Sequence, residues 1–276
     1  MARPHLQLTT YGNVPSDVCQ ALKALIEGCY EALPAPPSPT VQVCLFDTAD
    51  RLRAFLARER AEMGVGASDS EGFLASHDAW RGVPRITVCL ERLAAVPPLV
   101  SQGAIRHEVA HTILHGSVAH YIFRLSRQVL ARGRERGLDA ALLQQLLYYV
   151  AIAVKDYEVA RLLVDHGFQE CQADLARHQL AVGEEDRLAW LLARRDPRAR
   201  LLYFAAQLKP LLFARPLLEL PAFAPSLQEN IQEMLALLPE EDRGRLLQLV
   251  EGIEASLGPD SRGNIEAAFT LLLERL

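Results

Sequence analysis

Apolar positions near the start of the chain fall at two different spacings. From Ser16 to residue 33, Val18, Leu22, Leu25, Ile26 and Tyr30 recur every three or four residues, which predicts a helix with Ser16 as its cap. The run P-A-P-P-S-P at residues 34–39 reads as a stiff, extended connector. Residues 41–46, V-Q-V-C-L-F, predict a strand. Helical period returns over residues 49–63, with Leu52, Phe55, Leu56 and Ala61 on one side, and residues 64–72 read as a flexible loop. A second short strand is expected at residues 72–76, G-F-L-A-S. A turn around Trp80 and Gly82 follows at 78–84, and a third, buried strand at 85–90. No element is predicted before Ser16.

Past the third strand the pattern becomes helical. Residues 98–114 predict one helix, stopped by Gly116. Residues 118–132 predict a second, and R-G-R-E-R-G at 132–137 a polar turn. Residues 138–165 predict a long helix. From residue 169 onward, helices are separated by Pro and Gly: 188–193 and 198–208 are apolar-rich, 216–225 reads as a loop, and 227–238, 240–257 and 262–276 are amphipathic. The expected fold class is α+β: a domain over residues 1–168 with a small mixed sheet, then an all-α half over 169–276.

The chemistry concentrates in residues 106–116, R-H-E-V-A-H-T-I-L-H-G, which contain H-E-x-x-H as His107, Glu108 and His111. On a helix, residues i and i+4 share a face, so two imidazoles at that spacing can grip one metal ion without backbone distortion. A catalytic zinc takes three protein ligands and keeps one position open for water. Glu108, beside the first histidine, is placed to take a proton from that water. His115 lies on the same face, but a straight helix does not wrap three consecutive turns around one ion.

The order strand, helix, strand, strand, H-E-x-x-H helix resembles the zincin-type metallopeptidase domain in its smallest form, that of the minigluzincins. The resemblance implies an antiparallel edge strand along the cleft, to which a substrate peptide adds as a further strand; residues 72–76 are the candidate. H-E-x-x-H-x-x-x-H-G, as found here, also occurs in the zinc peptidases that cleave prophage repressors and stress-response regulators, where the last histidine is not a ligand as a rule. D-Y-E-V-A-R-L-L at residues 156–163 resembles the pattern that supplies the third, acidic ligand in that family. It is also somewhat like the corresponding pattern of the membrane-embedded zinc peptidases that process prenylated proteins.

Two carboxylates compete for the third position. Asp156 shares a helix face with Tyr149, Ile152, Ala153, Val159, Ala160 and Leu163, where an ionised group is expensive to bury without a partner such as zinc. Glu158 points toward Lys155, Arg161 and Asp165, which reads as a solvated, charge-paired face. The resemblance also places Asp156 at the ligand position, where the family carries Glu; Glu158 remains the alternative. The 45 residues from His111 to Asp156 exceed the family spacing, and the helix expected over 118–132 accounts for the excess. A donor for the transition-state oxyanion is expected among Tyr148, Tyr149, Tyr157 and His77.

Composition narrows the partners. Half of the 276 residues are hydrophobic, enough for a sizeable core, and the net charge of −5 gives no reason to expect nucleic acid or an anionic membrane surface. The five scattered cysteines form neither a disulfide framework nor a metal site. The first residues lack the apolar core of a signal peptide and no apolar run reaches a membrane span, so a cytoplasmic protein is expected. The reading is a zinc metallopeptidase acting on a peptide or protein. The alternatives are a zinc-dependent regulator with one specific partner, and a zincin-fold binding protein without turnover. Oligomeric state is not legible.

Overall fold

The structure, a computed structural model, describes residues 3–63, 72–123 and 125–275. It is a mixed α+β chain built on one small mixed sheet. Two compact units interleave along the sequence. The first runs to Ile122 and takes in Asp165–Leu175; the second comprises Phe123–Val164 and the chain from Ala176 onward. The division expected after residue 168 thus falls within a segment that packs with the first unit.

In the first unit, β1 (His5–Tyr11) leads through α1 (Ser16–Ala32) to β2 (Thr40–Phe46). That strand is followed by α2 (Ala49–Met63), β3 (Ala75–Asp78) and β4 (Arg85–Cys89). The sheet order is β1-β2-β4-β3, with β1, β2 and β4 parallel and β3 antiparallel to β4 at the edge. β2 and β4 are buried over most of their length, as strands covered on both faces should be. A short α3 (Leu90–Ala94) precedes α4 (Pro98–Leu114), which carries the H-E-x-x-H motif. Pro98 stands at the first helical position, where its missing N–H is no loss. α4 packs on β3, β4 and α1, and a buried hydrogen bond of 2.6 Å joins Tyr30 on α1 to Thr112 on α4.

One glycine lets α4 sit close to a neighbouring segment, and another lets the chain leave the helix tightly. A Cβ at Gly103 would lie 2.3 Å from the carbonyl oxygen of Cys171, and Gln172 donates to the Gly103 carbonyl at 3.0 Å. A Cβ at Gly116 would lie 2.1 Å from the carbonyl oxygen of Thr112, so the chain leaves the helix tightly here.

The second unit is all helix among its described residues: α5 (Arg127–Glu135), α6 (Ala140–Asp165), the end of α7 (Gln169–Leu180), α8 (Glu184–Ala193), α9 (Pro197–Leu218), α10 (Ala224–Leu235), α11 (Glu240–Ser256) and α12 (Ser261–Arg275). α9 packs against α8, α10 and α11, and α12 packs against α11 and α5. α6 is buried on most of its circumference. No single described helix is long and apolar enough to cross a membrane.

Four local expectations change. β1 was not anticipated: it is an outer strand with only alternate residues partly buried, so its apolar signal is thin. The edge strand forms at Ala75–Asp78 rather than 72–76, because Asp78 pairs in register with Arg85 and binds it. The helix expected over 118–132 is, among the described residues, a 3₁₀ turn at Val118–His120 and then, from Arg127, α5. Ser126 caps α5 by accepting from the Val129 amide at 3.2 Å. The loop expected at 216–225 is confined to residues 219–223, with Pro216 inside the last turn of α9 and Pro225 near the start of α10. The loop expected at 64–72 lies, but for its last residue, outside the described residues.

Arg85 anchors the edge. Its guanidinium donates at 2.8 Å to both carboxylate oxygens of Glu59 on α2 and lies 2.8 Å from Asp78 on β3. Burial raises the Asp78 carboxyl above its ordinary range, and Arg85 opposes that. Arg85→Met leaves two half-buried carboxylates facing each other. The variant is expected to lose about 3–5 kcal/mol of stability, the cost of breaking a buried ion pair, measured by urea unfolding. A loss below about 1 kcal/mol would place the cluster with weak surface pairs instead.

Candidate metal centre

Three residues of the centre come from one turn and a half of α4. His107 and His111 are 4% and 9% exposed, and Glu108 between them is partly exposed. The helix carries both rings to the same side, and their Nε2 atoms lie 3.1 Å apart. Two nitrogens at about 2.0–2.1 Å from one tetrahedral zinc stand about 3.3 Å apart, so the pair fits a shared ion with little adjustment.

Asp156 on α6 completes the set. One ligand atom from each of His107, His111 and Asp156 lies within 4.8 Å of the others, a group that could hold a metal ion. Asp156 is 4% exposed, on a face with Ala153, Val159, Ala160 and Leu163, all fully buried. Lys209 on α9 approaches one of its oxygens at 3.4 Å. A carboxylate has two oxygens, so an ammonium on one does not bar a metal from the other.

Glu158 is engaged differently. Its two oxygens accept from Ser261 Oγ at 2.6 Å and from Asn264 Nδ2 at 2.7 Å, both on α12. The face expected to be solvated is therefore partly packed: Arg161 and Asp165 are exposed, whereas Lys155 is buried. Burial pulls the Lys155 ammonium down to about 8, against the opposing pull of Asp156 and Glu158. The Phe123 ring lies 5.6 Å from its Nζ.

His115 stands at the C-cap of α4, fully buried, with Nδ1 3.0 Å from Nδ1 of His111. It thus meets the nitrogen of His111 opposite to the one facing His107.

Of the four residues expected to offer an oxyanion donor, His77 lies beside the histidine pair. It sits on β3 with its ring parallel to that of His111 and 5.8 Å from it. Its Nδ1 is 2.6 Å from the hydroxyl of Tyr121. Burial, with Asp78 and Glu108 nearby, holds the Tyr121 phenol protonated far above its usual range. A phenol that donates to Nδ1 leaves the His77 proton on Nε2. Trp80 packs against Tyr121 at 6.3 Å, continuing an aromatic row outward from His111. Tyr121 was invisible to sequence reasoning, because a helix was expected there and the pairing depends on the irregular turn that replaces it. Tyr148 and Tyr149 contact each other on α6, and Tyr157 lies near Arg161 and Glu254.

The two carboxylates should respond differently to removal. Asp156→Ala is expected to lower zinc affinity well over tenfold, since even residues that only orient ligands are worth about 10–100-fold. Glu158→Ala should leave affinity within a few-fold and instead lower the melting temperature, because Ser261 and Asn264 lose their acceptor. Competition with a chromogenic chelator, together with thermal melts, separates the two; the reverse pattern would make Glu158 the ligand.

No protein-family model matches the chain, and neither a curated protein nor a solved structure matches it.

Proposed function

We propose that the chain is a zinc-dependent metallopeptidase, with His107, His111 and Asp156 holding the metal and Glu108 as general base. The observation that carries this reading is the convergence of two imidazoles and a buried carboxylate within 4.8 Å, with a glutamate between the two histidines on the same helix. The donor set suits zinc, which in catalytic sites takes three imidazole or carboxylate ligands and keeps the fourth position open. When bound, the metal supplies Lewis acidity, lowering the pKa of water and polarising a carbonyl oxygen.

The remaining work falls to side chains. Glu108 takes a proton from the attacking water on its carboxylate and returns it to the nitrogen of the leaving amine. His77, its ring stacked beside His111, is the donor for the carbonyl oxygen as charge builds there, in the tautomer in which the Tyr121 hydroxyl donates to Nδ1 and the proton stands on Nε2. β3 is an edge strand among the described residues and packs on α4, so its outer main-chain groups can pair with an extended peptide. This favours a peptide or protein as the substrate, as expected from the sequence resemblance to the minigluzincin-like zinc peptidases.

Two results test the reading. Protein purified without chelator is expected to carry about one zinc per chain, read by elemental analysis. Glu108→Gln should keep that zinc and lose about 10²–10⁴-fold in peptide hydrolysis, because the base is not a ligand. A variant with unchanged turnover excludes Glu108 from the role, and a wild-type protein that neither holds nor takes up zinc excludes the reading.

A further inference from the structure

We propose that His115 is the positioning residue of the centre. It fixes the tautomer and ring plane of His111, and through them sets how tightly the metal is held. The inference rests on the metal-centre reading above and adds to it a residue that the H-E-x-x-H pattern does not include.

The argument begins with a proton count. Nδ1 of His111 and Nδ1 of His115 lie 3.0 Å apart, a hydrogen-bond distance, so one donates and the other accepts. A histidine that offers the Nε2 electron pair to a metal carries its proton on Nδ1. His111 faces His107 with Nε2, at 3.1 Å. In the tautomer that binds metal, His111 is therefore the donor to His115, and His115 accepts on Nδ1 with its own proton on Nε2. The competing tautomer of His111 places the proton on Nε2, between the two rings, where it blocks the metal. An acceptor at Nδ1 favours the first tautomer over the second. Metal binding and the bond to His115 thus demand the same protonation pattern.

The backbone explains why His115 is available for this. The helix stops at His115, whose φ of −127° and ψ of 19° take it off the helical path while its amide still bonds the His111 carbonyl at 2.7 Å. Gly116 allows the chain to turn away against Thr112 and Pro84. The ring of His120 packs edge-on to His115 at 5.3 Å and holds it in place. His115 is fully buried, so its hydrogen bond is made away from bulk water, where an unmade one is costly.

The test uses the full chain and zinc alone, read by chelator competition. His115→Leu fills the space without an acceptor; His115→Asn keeps an acceptor near the place of Nδ1. The Leu variant is expected to bind zinc about 10–100-fold more weakly, and the Asn variant to recover most of that loss. In zinc-loaded wild-type protein, ¹⁵N spectra of the histidine rings should show His111 protonated on Nδ1 and His115 on Nε2. Unchanged affinity in the Leu variant overturns the proposal. So does equal loss in both variants with lowered melting temperatures, which would mean that His115 only packs, and so does a His115 ring protonated on Nδ1. A wild-type protein that takes up no zinc would instead bring down the metal-centre reading itself, an outcome distinct from a zinc-binding wild type beside an unaffected Leu variant.

Discussion

A carboxylate in the middle of a buried helix is the constraint on which the candidate centre depends. Asp156 is surrounded on α6 by side chains with no exposure, and an unpaired charge there costs many kcal/mol unless something opposite compensates it. Lys209 supplies part of that compensation at 3.4 Å. One ligand atom from each of His107, His111 and Asp156 lies within 4.8 Å of the others, a group that could hold a metal ion. Small residues beside Asp156, Ala153 and Ala160, leave room for its short side chain to be approached closely. A glutamate could reach farther; an aspartate requires its neighbours to come to it.

The same logic of close approach shapes α4. Gly103 permits contact with the backbone at Cys171, Tyr30 is tied to Thr112, and Gly116 ends the helix sharply enough for His115 to turn back on His111. His107 and His111 therefore sit on a helix whose position is fixed from several directions. The edge strand is held with comparable firmness by Arg85, which binds Glu59 and Asp78 together. This anchors His77, one residue before Asp78, next to His111. Positioning by packing and charge, rather than by loop closure, is what lets a site of few residues keep its geometry.

Much of this architecture was legible in the chain. The first helix and α2 follow from helical periodicity, and β2, β4, α4 and the long α6 from the length and bounds of their apolar runs. β1 was missed because an outer strand shows only alternate, half-buried residues, although H-L-Q-L-T-T-Y carries the alternation in weak form. β3 was placed a few residues early because its extent is set by the pairing of Asp78 with Arg85, a partner seven residues on. The segment after Gly116 reads as one helix over 118–132. Its actual course depends on Tyr121 meeting His77 and on Ser126 capping α5.

By itself the sequence determined the arrangement of His107, Glu108 and His111, because a helix converts a spacing of four into a shared face with no help from the rest of the chain. It also determined that Asp156 lies on an apolar face, for the same reason. Tertiary structure alone decided which groups meet those faces. It set Glu158 against Ser261 and Asn264, stacked His77 on His111, and turned His115 toward Nδ1 rather than Nε2. Those are contacts between residues far apart in the chain, or at the point where a helix stops. Local periodicity carries no information about them, because their geometry is set by how whole elements pack.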